Sequence, residues 1–286
     1  MSSQATARSS AEDIAALNAQ VAVAQAAALA RFAAGDQKVL FRGTLSPEFA
    51  AVRDGATVYH NRHVWLVVVL ALVAVGLALQ SLRVGPVAFL ACGAVVFVLY
   101  DLFSGVLHIV LDHPGFIHFP VLGPACLEFQ WHHQIPTDIA SKPYMQVCGD
   151  LSMTICILMT WYVLILNTPI GLSLLGFEVL FAYYGQMAHR MAHTPKNRRP
   201  GWVIALQDSG VMLSQAAHNS HHRTFTDTFC IGSGWCNPLL TFLIGNVMSS
   251  RNGWLVVFLS AGLFDLVLVR WGLAAVLGAW YGTPVM

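Results

Sequence analysis

From Val64 to Leu82 the chain carries no charge, and most of its side chains there are aliphatic. Crossing the roughly 30 Å hydrocarbon core of a bilayer takes about 20 apolar residues. A backbone in that medium must satisfy its own amides, and a run of this length does so as a helix. A second run, Val84 to Leu111, is interrupted only by Asp101 and His108. Leu151 to Leu166 and Gly171 to Ala188 form a shorter pair, joined by Asn167-Thr168-Pro169. A mean hydropathy of +0.62, with 56% hydrophobic and 10% charged residues, agrees with these runs. The expected fold is all-α: an integral membrane helical bundle of about four transmembrane helices, topped by a cytosolic histidine-rich helical cap.

Three regions follow from the pattern. Residues 1–55 read as a cytosolic Ala-rich N-terminal region, 56–245 as a membrane domain, and 246–286 as an apolar C-terminal helix, interfacial or a fifth span. Within the first, residues 10–34 have strong helix propensity, with Ser10 and Asp13 as a capping pair. Met1 to Ala30 lacks the apolar core of a secretory signal, and Glu12 and Asp13 count against a transit peptide. The tail from Trp254 to Tyr281 carries Asp265 and Arg270. Their spacing does not stack them on one helix face, and an interfacial helix is the preferred expectation. The six cysteines contain no CxxC pair. Cys92 and Cys156 lie in spans as small apolar residues, and nothing resembles a disulfide framework or zinc ribbon.

Charge orients the spans. Arg8, Arg31, Lys38, Arg42, Arg53 and Arg62 precede the first span, and only Arg83 lies between the first two. No Lys or Arg separates spans three and four, whereas Arg190, Lys196, Arg198, Arg199 and Arg223 follow. The excess of basic residues in cytoplasmic loops puts the N-terminus, the 112–150 loop and everything after His189 on the cytoplasmic side. A net charge of +1 with no basic stripe argues against nucleic acid as a partner.

That one face collects four histidine clusters: His108, His132 with His133, His189 with His193, and His218 with His221 and His222. Offsets of three and four place side chains on one face of a helix. Asp101 and His108 lie about two turns apart on nearly the same face, with Asp112 one turn further on. His113 is rotated away, and Pro114 biases it out of helical geometry. Adjacent His132 and His133 diverge on a helix and suit two metals better than one. Ionisable groups inside a span are costly and usually functional.

These histidines exceed the four ligands of one tetrahedral zinc. The two Glu-x-x-His motifs of soluble di-iron bundles are absent. A histidine-dominated pair of metals anchored to spans suggests an oxygen-activating non-haem di-iron centre. No Gly-rich dinucleotide fingerprint or Fe–S cysteine pattern is present, so electrons would come from a separate protein. A membrane lipid hydroxylase would use the same kind of site. A metal transporter would hold ligands near mid-bilayer, and a bis-His haem protein would hold them inside the bundle.

The ordered motifs resemble a known family, the lipid desaturase domain. They run from Asp101-Leu-Phe-Ser-Gly-Val-Leu-His108 with Asp112, through Phe129-Gln-Trp-His132-His133, to His189-Arg-Met-Ala-His193. Ala205-Leu-Gln-Asp208, His218-Asn-Ser-His221-His222 and Phe229-Cys-Ile-Gly-Ser-Gly-Trp235-Cys-Asn237 follow. The family has two branches: plasmanylethanolamine desaturases, which form a vinyl ether, and plant plastid enzymes that put a trans double bond into phosphatidylglycerol. The resemblance implies an O2-dependent desaturase of a membrane phospholipid chain, with two non-haem iron ions. It implies His108, His132, His133, His189, His193, His218, His221 and His222 as metal ligands, with Asp112 as ligand or supporting acid. An external donor of cytochrome b5 or ferredoxin type would supply electrons. Asp101 and Asp208 are candidates to orient ring nitrogens, and Asn237 to bind water near a metal. A channel between spans two and four would hold the lipid chain, with Phe129 and Trp131 at its mouth. Ala217 stands where the plasmanyl branch tends to have a histidine, and Trp131 where it tends to have an acid. Both departures point toward the plant-type branch, although Ile109 replaces an aromatic common to both.

Overall fold

Val64–Ala78 forms helix α1, continued by a 3-10 turn over Leu79–Arg83. Valines disfavour a helix in water because their rotamer freedom is lost against the preceding turn. In hydrocarbon the amides have no other partner, so the helix forms regardless. The structure is a computed structural model that describes residues 64–281 apart from 117–118, 120–121, 123–124, 127–128, 130–131, 134–135, 137, 142, 166–167, 225 and 266–270. The expected Ala-rich N-terminal region, Trp131 and Arg270 lie outside the described residues.

The remaining helices are α2 (Pro86–Leu111), α3 (Asp138–Ser141), α4 (Tyr144–Ile165), α5 (Pro169–His193), α6 (Gly201–Asp208), α7 (Gln215–Thr224), α8 (Asn237–Asn246), α9 (Arg251–Phe264) and α10 (Gly272–Tyr281). No strand occurs among the described residues. Residues 111–146 belong to one compact unit, and residues 63–110 with 147–286 to another.

Three described helical stretches are long and apolar enough to cross a membrane: Trp65–Arg83, Pro86–Leu111 and Pro169–His193. The third expected span, Leu151 to Leu166, falls in α4, which is helical from Tyr144 to Ile165. The Ser152 hydroxyl of α4 meets Tyr183 on α5 at 3.4 Å. Thr168 starts α5 by accepting a hydrogen bond from the Gly171 amide, and Pro169 occupies the first turn, where a missing N–H costs nothing.

In the second unit, α1 packs closely on α5. A Cβ at Gly176 would overlap the backbone of Ala74 and Ala78, so only glycine allows this approach. Ser173 donates to the Ala78 carbonyl at 2.6 Å and meets Ser81 at 2.7 Å, closing the polar groups of this apolar contact on themselves. Ala88, Cys92 and Val96 of α2 pack with Ile170 and Leu174 at the start of α5. The far ends of the same helices meet through His108 and His189, so α2 and α5 run parallel. Both therefore deliver their histidines at the same end.

The tail forms two helices, α9 and α10, that pack within the second unit. Phe258 stacks on Phe103 at 5.7 Å, and Leu277 packs among Ala88, Cys92 and Val96.

Candidate metal centre

The helix ends of the second unit gather six imidazoles. His108 comes from α2, His189 and His193 from the last turns of α5, and His218, His221 and His222 from α7. All but the half-buried His222 are buried. Ring centroids lie 4.4 Å apart for His108 and His221, 4.6 Å for His189 and His218, 4.5 Å for His193 and His218, and 4.7 Å for His193 and His222. The one-turn spacings thus present their rings to a common centre.

The donor atoms converge more closely still. His193 Nε2 and His218 Nε2 are 2.7 Å apart, and His218 Nε2 and His222 Nε2 3.1 Å. Two ring nitrogens at such separations share either a proton or a cation. Metal–imidazole bonds of about 2.1 Å put neighbouring ligands about 3.0 Å apart, so this trio fits a metal. Ligand atoms of His189, His193 and His218 lie within 4.8 Å of one another, as do those of His108 and His221. Two adjacent groups of nitrogen donors suit two ions better than one.

Electrostatics keep the donors available. Burial, reinforced by the neighbouring imidazoles of His189, His193, His222 and His221, holds His218 well below the usual histidine range. A neutral ring is the form that binds a metal. The Nδ1 of His221 lies 2.8 Å from the Asp227 carbonyl. A carbonyl only accepts, so Nδ1 carries the proton and Nε2 keeps its lone pair for a ligand. The Asp227 carboxylate in turn accepts from Thr224 at 2.7 Å, Thr228 at 3.0 Å and Ser220 at 3.3 Å, which fixes the loop that supplies the carbonyl. Sequence reasoning missed Asp227, because a backbone acceptor leaves no residue-type signal.

Asp101, Asp208 and Asn237 do not act as the sequence suggested. Asp101 Oδ1 accepts from the amides of Ser233 at 2.7 Å and Gly234 at 3.0 Å, and Oδ2 from the amide of Cys236 at 3.0 Å. Both of its oxygens serve backbone rather than ring nitrogens. Asn237 Oδ1 accepts from the Cys230 amide at 2.8 Å, and Ser104 Oγ accepts from Ile231. Together they pin the 229–237 loop to α2. That places Phe229, fully buried, 5.1 Å from the His221 ring and 6.3 Å from His108, where it shields both from water. Asp208 is exposed at the end of α6, and buried Gln207 beside it makes the local hydrogen bonds.

Residues 111–146 hold the rest of the expected ligands. Buried Asp112 and His133 form a 2.8 Å hydrogen bond through Oδ1 and Nε2, and buried His132 stands 5.7 Å from His133, ring to ring. The Cys126 thiol donates to the carbonyls of Leu111 and His113, at 3.0 and 3.1 Å. Burial, then the charge of Asp112, pushes that thiol up to about 12. Phe129 is half-buried in this unit. Between α2 and α5 runs an apolar groove of about 490 Å³, lined by Gly93, Ala94, Phe97, Phe181, Tyr184 and Trp235.

Membrane helices that deliver a nest of imidazoles at one end define a class of integral membrane protein with a candidate metal centre. Residues 97–244 match the lipid desaturase domain family, and the chain belongs to it. It is 34% identical over 148 residues to fatty acid desaturase 4, chloroplastic, of Arabidopsis thaliana, covering 50% of this chain and 45% of that protein. Fatty acid desaturase 4-like 1, chloroplastic, of the same plant is 35% identical over 156 residues, covering 53% and 51%. Plasmanylethanolamine desaturase 1 of Mus musculus is 31% identical over 148 residues, covering 48% and 54%. The chain thus spans about half the length of the curated relatives it matches. No solved structure matches it.

Proposed function

We propose that this chain is a membrane-bound non-haem di-iron desaturase. It uses O2 and external electrons to place a double bond in an acyl or alkyl chain of a membrane phospholipid. The observation that carries the reading is the meeting of six histidines from three helices, in a family of lipid desaturases. His108, His189, His193, His218, His221 and His222 would hold the metals, with Asp112, His132 and His133 completing the set that the resemblance implies. Bound iron would supply the O2-dependent redox chemistry that side chains lack.

The chain's own residues bind, orient and exclude water. Asp227 fixes the tautomer of His221, and burial keeps His218 neutral. Phe229 covers the His108–His221 pair. The α2–α5 groove holds the lipid chain by apolar contact, which positions the carbons to be oxidised at the histidine end. Two C–H bonds break and one C=C bond forms; the two substrate hydrogens, one O2, two donor electrons and two protons together become two waters. The electron donor is a protein of cytochrome b5 or ferredoxin type, docking on the cytoplasmic side. The tail is a fifth, interrupted span, with Phe258 stacked on Phe103 and Leu277 joining a cluster of α2 and α5 residues.

Ala217, where the plasmanyl branch tends to carry a histidine, favours acyl over vinyl-ether chemistry. It packs beside Met212 and Leu213 and lines a cavity with Ser214 and Asp227, a position from which the plasmanyl-type histidine would change that cavity. Lipid mass spectrometry of cells carrying the wild-type chain or His218→Ala, His222→Ala tests the function. A lipid lighter by two hydrogens should appear only with the intact histidines. Gain of one oxygen instead would mean a hydroxylase, and no histidine-dependent lipid would end the desaturase reading.

A further inference from the structure

Arg199 touches none of the histidines, yet its guanidinium joins the two helices that carry five of them. Nε donates to the Thr194 carbonyl at 2.7 Å, one Nη to Gln207 Oε1 at 2.6 Å, and the other Nη to Gln215 Oε1. Thr194 caps the C-terminus of α5, directly after His193. Gln215 opens α7, one turn before His218. Gln207 is buried and passes the link on, its Nε2 donating to the Leu213 carbonyl at 2.9 Å. The last carbonyls of a helix lack internal partners and carry partial negative charge, so a cation there is favourable. All three acceptors are neutral oxygens, reached at once by a planar fork.

We propose that Arg199 is a positioning residue that sets the distance between the His189–His193 end of α5 and the His218–His222 end of α7. The fork holds the carbonyl after His193 and the amide before His218 on one rigid group. Their Nε2 atoms stand 2.7 Å apart. Lysine keeps the charge but offers donors from a single point on a flexible stem, so it cannot bridge three fixed oxygens. Arg198, one residue earlier and exposed, has no such role.

This inference rests on the proposed two-metal site, and its test separates the two. Full-length chain in nanodiscs is stripped of metal and titrated with Co(II), followed by absorption and by metal content. Wild type should fill two sites. In Arg199→Lys, the site that includes His193, His218 and His222 should weaken by roughly 10–100-fold, as for other residues that orient ligands. The other site should keep its wild-type affinity, and so should both sites of Arg198→Lys. Wild-type affinity at both sites of Arg199→Lys overturns the inference alone, and equal weakening of both sites also overturns it. A wild-type chain that binds no Co(II) overturns the metal site and this inference with it. If thermal unfolding shows Arg199→Lys misfolded, Gln215→Ala cuts only the α7 arm. It should weaken the same single site, and no effect there would overturn the inference.

Discussion

Replacing Asp101 separates anchoring of a loop from tuning of a metal. The side chain is 1% exposed and accepts three backbone N–H groups at 2.7, 3.0 and 3.0 Å. Each buried amide left without an acceptor costs about 1–3 kcal/mol. Asp101→Ala orphans all three, which bounds the loss at roughly 9 kcal/mol. Relief from burying a carboxylate, and water entering the space left, reduce that figure. Asp101→Asn keeps one oxygen for Ser233 and Gly234 but turns an NH2 toward the Cys236 amide, a loss of about 1–3 kcal/mol. Thermal unfolding in nanodiscs should rank wild type above Asn and Asn above Ala. Hydrogen exchange should speed up at residues 230–236 before it does in α5. Metal affinity of Asp101→Asn should stay within a few-fold of wild type. A large drop in metal affinity with unchanged exchange in the loop would refute the anchoring argument and restore Asp101 to the role of orienting a ring nitrogen.

Other consequences are as concrete. Gly176→Leu forces a side chain into the backbone of α1 and should destabilise the fold by about 1–3 kcal/mol, measured by denaturation in detergent. Ala94→Phe fills the apolar groove between α2 and α5; longer lipid chains should be lost from the products while metal content holds. Unchanged product lengths would remove the groove from the mechanism. The Cys126 thiol, pushed up from 9.0 to about 12, holds roughly a thousandth of the thiolate of an ordinary cysteine near neutral pH. Its alkylation by iodoacetamide at pH 8 should be slower by about that factor. Because its folded pKa is raised, its contribution to stability is complete below pH 9 and declines as pH rises toward 12.

Much of the architecture was legible because hydrocarbon allows few choices. Runs such as Val64–Leu82 and Val84–Leu111 became helices of the expected extent, give or take the 3-10 turn at Leu79–Arg83. The histidine spacings also translated directly, since offsets of three and four on a helix put rings on one face. Less legible was the packing of the tail, where Phe258 stacks on Phe103 and Leu277 joins the cluster of Ala88, Cys92, Val96, Ile170 and Leu174.

The sequence alone determined that helices form, which ends carry imidazoles, and which family the motifs belong to. Only tertiary structure decided what the polar residues around those imidazoles do. Asp101 looks toward His108 from its place on α2, yet its partners arrive from more than a hundred residues further along the chain. The acceptor for His221 is a main-chain oxygen, and the link between the histidine ends of α5 and α7 is an arginine in a basic run that otherwise reads only as membrane topology. Periodicity reports the face of a helix, a local property. Which groups meet across helices depends on how those helices pack, and no spacing along one chain encodes it.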